Sequence, residues 1–145
     1  MRSVPLLIRV IMMSYTLSAT DKAAAQQLND DERFNYFVNK AHEHQEIWIL
    51  TDEHGCMMLT TEDEEDCIPV WPHADFAKEW AVGDWSQCRA EAISLAVWHS
   101  RWAPGMEEDE LLVAVFPTND ESGMVVDPRE LDAALARKEK LGRKN

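Results

Sequence analysis

At 145 residues the chain fits one domain, long enough to bury about two thirds of its unfolded surface. Its 46% apolar content and six tryptophans exclude a disordered chain. Its net charge of −13 argues against a nucleic-acid partner and favours a basic protein partner or plain solubility.

Residues 1–13, MRSVPLLIRVIMM, place Arg2 before an apolar run, as a signal peptide does. Arg9 interrupts the run, and no small-residue cleavage site follows. The run is also far too short to span a bilayer. The preferred reading is a poorly ordered extension upstream of a start at Met12 or Met13, because a self-contained capping signal begins at Ser18.

Ser18-Ala19-Thr20-Asp21 has the form of a capping box and predicts a short helix through Leu28. Asn29-Asp30-Asp31-Glu32 is a second N-cap with acids where the helix dipole favours them. Phe34, Phe37, Val38 and Ala41 then fall on one helical face, ending near His42-Glu43-His44.

Three strands are expected next. Glu46–Thr51 is the first, Asp52-Glu53-His54-Gly55 a turn, Cys56–Thr61 the second, Glu62–Glu65 an acidic turn and Asp66–Trp71 the third. Tight turns would make this a meander with two apolar faces. One carries Trp48, Leu50, Met57, Leu59, Ile68 and Val70; the other carries Ile47, Ile49, Cys56, Met58, Cys67 and Trp71. Such a sheet should be covered on both sides. Pro69 cannot donate to a ladder, so its strand should be an edge or turn that position outward.

Trp71-Pro72 breaks the strand, and Phe76, Ala77 and Trp80 share a helical face beyond it. Ile68 to Trp80 is therefore the joint of the fold. Gly83-Asp84-Trp85 closes a loop, and Cys88–Ile93 fits a short strand or a helix start. Ser94 is an N-cap for a helix carrying Leu95, Trp98 and Trp102, stopped by Pro104-Gly105. Leu111–Phe116 reads as a buried central strand, Thr118–Gly123 as a turn and Met124–Val126 as its return. Asp127-Pro128-Arg129-Glu130 opens the last helix.

The charge is uneven. Residues 13–136 hold 7 basic and 26 acidic side chains, a net of −19, whereas the last nine residues are mainly basic. The basic end reads as a solvated helix terminus. Cys56, Cys67 and Cys88 have no close pair, which fits reduced cytoplasmic thiols.

No nucleotide or catalytic motif appears, and no cofactor is implied. Metal-ligand spacing is absent: His42 and His44 are two apart, and the acidic turn lacks the alternation of a calcium loop. Cys88 with His99, or Cys67 with His73, could form a nucleophile pair only if the fold joined them. Asp75 and Glu79 read as an exposed polar face. Trp85 is the tryptophan least needed by the core, so a groove of Trp71, His73, Asp84 and Trp85 is the candidate binding site.

The run FVNKAHEHQEIWILTDEHGCMMLTTEDEEDCIPVWPHADFAKEWAVGDW, then ISLAVWHSRW, then DELLVAVFPTNDESGMVVDPRELDAAL, resembles the bacterial family catalogued as domain of unknown function 2750. The similarity spans roughly Ser14 to Leu135, and IPVWPHADFAKEW is its most specific block. The resemblance implies a small cytoplasmic α+β domain beginning near Ser14, and it carries over no activity.

The expectation is thus one α+β domain over residues 14–140, with a basic tail at 141–145. Its mixed, mainly antiparallel sheet of about five strands would combine the meander with a hairpin, covered by helices. Its expected function is a non-catalytic protein-binding, regulatory or immunity-type module. The alternative is an enzyme or small-molecule binder with a pocket near Trp71, His73 and Cys67 or Cys88. Neither nucleic acid nor membrane is expected as a partner.

Overall fold

The computed structural model describes residues 17–118 and 123–143, the side chains of Asp84 and of residues 139–143 excepted. The expected extension at 1–13 and the last two residues of the basic tail lie outside the described residues.

Local capping chemistry sets the helices. Ser18 Oγ accepts from the N–H of Asp21 and starts α1 (Ala19–Gln26). Asn29 and Glu32 cap α2 (Asp30–His44) reciprocally, at 2.9 and 3.0 Å. The N–H of Arg129 donates to Asp127 at the start of α6 (Pro128–Arg143). This last helix continues past residue 140, the expected end of the domain.

The α+β class holds, and pairing is mainly antiparallel, but the strands form two sheets instead of one. In the first, β1 (Glu46–Asp52) lies between β2 (Gly55–Cys56) and β5 (Arg89–Ser94). In the second the order is β3 (Leu59–Thr60), β4 (Asp66–Val70), β6 (Leu112–Val115), β7 (Met124–Val126). The expected meander is therefore corrected. The first hairpin forms at Thr51↔Cys56, but the chain leaves that sheet at Met57-Met58 and enters the other. Along its other edge β1 pairs with β5, from Glu46↔Ser94 to Thr51↔Arg89. An apolar strand offers two edges, and a six-residue partner distant in sequence satisfies more of β1 than the two-residue β2 can. The expected hairpin of β6 and β7 is present, and β4 joins β6 in parallel.

The sheets meet where Trp48 and Trp71 exchange backbone hydrogen bonds at 3.0 and 2.9 Å. β4 is not an edge along its length. Val70 accepts from the N–H of Phe116 on the β6 side, so alternation turns Pro69 toward the opposite side, where no ladder bond is required. Past the joint, α3 (Ala74–Trp80) buries Phe76 and Ala77.

The second half of the domain departs from expectation at Pro104. α4 (Leu95–Val97) passes into a π-helical turn, Trp98–Trp102, and then into α5 (Ala103–Glu108), which contains the proline. The N–H of Ala103 reaches back to Trp98 O. That widened turn relieves the clash between a proline ring and the preceding turn, so the helix continues where the sequence reads as a stop.

Helices α2 and α6 pack against each other and against β6. Phe37 and Ala41 of α2, Leu131 and Leu135 of α6, and Val113, Val115 and Phe116 are fully or almost fully buried. Arg33 is buried among them. Its guanidinium donates to Phe116 O at 3.1 Å and Leu28 O at 2.6 Å and pairs with Asp30. A charged fork thus ties the α1–α2 turn to the end of β6.

Candidate functional site

Of the expected groove residues, Trp71 and Trp85 belong to one aromatic column. Trp71 has no exposed surface, and its Nε1 donates to Pro117 O at 2.9 Å. Its ring lies 5.6 Å from Trp80, which lies 6.0 Å from the half-buried Trp85 in the 3₁₀ turn Gly83–Trp85. Trp80, not named in the expected groove, is thus what connects Trp71 to Trp85. The side chain of Asp84 lies outside the described residues. His73 is buried and caps α3: its Nδ1 accepts from the N–H of Asp75 at 3.0 Å. Accepting at Nδ1 places the ring proton on Nε2 when the ring is neutral. The column is therefore mostly architecture, with Trp80, Trp85 and the exposed Val82 at its outer end.

The thiols are not assembled with histidines. Cys67 lies at the start of β4 and His73 beyond its end, while Cys88 precedes β5 and His99 follows it. His99 pairs with Asp132 of α6. Burial pushes Cys56 up to about 12, with Glu91 adding to it. Burial also raises Cys67 and Cys88, assisted by Asp66 and Glu65 for the former and by Asp52 for the latter. A thiol held protonated is a poor nucleophile. Glu79, read with Asp75 as part of an exposed polar face, is exposed and binds Lys22 of α1 at 2.8 Å. Among the described residues no group of three or more His, Cys, Asp or Glu could hold a metal ion.

Near the head of α3, Glu46 is almost buried. Burial raises its carboxyl, while the Trp48 indole N–H, donating at 3.2 Å, and nearby His73 pull it back.

Two surfaces escaped the sequence reading. The first is an acidic end on the second sheet. The register Cys67↔Leu112 sets β4 and β6 side by side and pointing the same way. The exposed runs Glu62–Asp66 and Glu107–Glu110 therefore emerge together. Antiparallel β7 delivers Asp127 to the same end, where Arg129 pairs with Glu107 at 2.7 Å. Each run was visible as a solvated turn or linker; only the parallel pairing joins them.

The second is a groove of about 340 Å³ on the first sheet, between β5 and the π turn. Ile49, Glu91 and Ile93 line it from one face of the sheet, with Cys56, Val97 and Trp102 completing the lining. Trp102 stacks nearly parallel on buried Trp98, at 6.3 Å and 9°. The indole nitrogen of Trp98 is buried with no hydrogen-bond partner among the described residues. Single π turns are frequent at functional sites, and this one carries the tryptophan that lines the groove.

Comparison with known families decides the lineage. The model for proteins of unknown function, domain of unknown function 2750, matches residues 34–135. The chain belongs to that family. The match includes the joint, both sheets, the π turn and every residue named in the groove. It excludes α1 and the first turn of α2. No curated protein and no solved structure matches the chain. No described helix is long and apolar enough to cross a membrane.

Proposed function

We propose that this chain is a cytoplasmic, non-catalytic module that holds a basic protein partner. The observation that carries the reading is the acidic end of the second sheet. There the parallel pairing of β4 and β6 collects two exposed carboxylate runs, only partly offset by Arg129. Among the described basic residues, Arg137 and Lys138 are poorly placed to neutralise it. Both lie in the second half of α6, a 16-residue helix that starts beside Asp127 and extends about 24 Å. A concentrated charge of one sign steers an oppositely charged partner and rejects polyanions. Free thiols fit a reducing compartment. Their upward shifts weigh against the cysteine-enzyme alternative near Trp71 and His73.

The test is capture from the native cell at low salt. Wild type is compared with a variant in which Glu62, Asp63, Glu64 and Glu65 become Gln or Asn. A basic protein retained by wild type, and lost both in the variant and at high salt, is the expected result. Identical captured proteins for the two baits would overturn the reading.

A further inference from the structure

We propose that the groove between β5 and the π turn is a slot for one cationic side chain, lysine or arginine, presented by a bound protein segment. The slot is distinct from the acidic end and does not depend on it, since Glu91 belongs to neither acidic run.

The lining dictates the occupant. The apolar lining residues Ile49, Ile93, Val97 and the partly exposed Trp102 suit the methylene stem of a long side chain. Glu91 is the charged residue lining the groove, and it makes no ion pair or hydrogen bond among the described residues. Arg89, two residues along the same strand face, makes no ion pair with it. A carboxylate and an indole that line one groove with apolar side chains complement a cation on an apolar stem. Trp102, at the end of the π turn, stacks on Trp98 and lines the groove. A neutral apolar side chain would leave Glu91 unpaired. An acidic one would be repelled.

Cys56, which lines the same groove, supplies the readout. The intact protein is treated with methanethiosulfonates carrying a 2-aminoethyl, a methyl or a 2-sulfonatoethyl group, and modification is followed by peptide mapping. Cationic reagent should outpace anionic at Cys56 by more than it does at Cys88, which controls for the general negative charge. Glu91→Gln should shrink the cation-to-anion ratio at Cys56 roughly fivefold, and Trp102→Leu roughly twofold. The ratio cancels any change in thiolate fraction that the Glu91 substitution causes. In a second arm, an acetylated pentapeptide with one central arginine should slow modification of Cys56 by the methyl reagent. Its citrulline counterpart should not.

An unchanged ratio in Glu91→Gln would overturn the slot. So would equal slowing of Cys56 modification by the arginine and citrulline peptides. Stronger protection by free spermidine than by the arginine peptide would assign the groove to a small polyamine and overturn the protein-segment occupant. None of these outcomes depends on the captured partner, so failure of the slot and failure of the acidic-end reading remain distinguishable.

Discussion

Two tryptophans with no exposed surface, Trp71 and Trp98, divide the molecule into a finished region and an unfinished one. At the joint, Trp71 exchanges backbone hydrogen bonds with Trp48, its indole N–H is satisfied by Pro117, and Trp80 covers its ring. Under the π turn, Trp98 is equally buried, but its indole N–H has no partner among the described residues, and the ring stacked on it lines an open groove. Burial alone does not define a structural residue. A satisfied polar atom marks a position finished by folding, whereas an unsatisfied one marks a cost that folding left in place.

The largest expected effect breaks the first region. Trp71→Ala should destabilise the protein by about 4 kcal/mol in denaturant unfolding, because it empties the contact between two sheets and strands a buried carbonyl. Arg33→Met comes next, at about 3 kcal/mol. It leaves Phe116 O and Leu28 O without their donors, even though the replacement fills similar volume.

The direct contrast is Trp→Phe at the two positions. Trp71→Phe removes a made hydrogen bond, whereas Trp98→Phe removes a donor that has none. With similar loss of ring volume, Trp98→Phe should cost less by about 1 kcal/mol. Equal costs in matched unfolding curves would erase the distinction between the regions.

The smallest effect concerns Cys56. Its pKa is raised from 9.0 to about 12, so between those values the unfolded chain releases a proton that the folded one keeps. Stability from this group is complete below pH 9 and falls as pH rises toward 12. Cys56→Ala should therefore show a shallower alkaline loss of stability than wild type, with no difference near neutrality.

Short-range features were legible because their chemistry is contained in a few adjacent residues. Ser18, Asn29, Ser94 and Asp127 all cap as their sequence context implies. Gly55 takes a positive φ of 120° in its turn. The strand-to-helix break at Trp71-Pro72 and the hairpin of β6 and β7 also follow from local patterns. The meander was not legible as two sheets, because Met57-Met58 looks like strand interior by composition. Pro104 reads as a stop because a π turn has no sequence mark. Of the expected groove, Trp80 as the link between Trp71 and Trp85 was not legible, because it depends on how α3 packs against the 3₁₀ turn.

The amino-acid sequence by itself determined the α+β class, the capped helix starts, the acidic surface and the place of the Ile68–Trp80 joint. Each depends on composition or on contacts within one turn of chain. Tertiary structure decided which strand β1 pairs with, which end of the second sheet gathers the carboxylates, and which tryptophan faces a groove. Those outcomes depend on pairing between segments far apart in sequence. Many such pairings satisfy the same local patterns, and only packing of the whole core selects one.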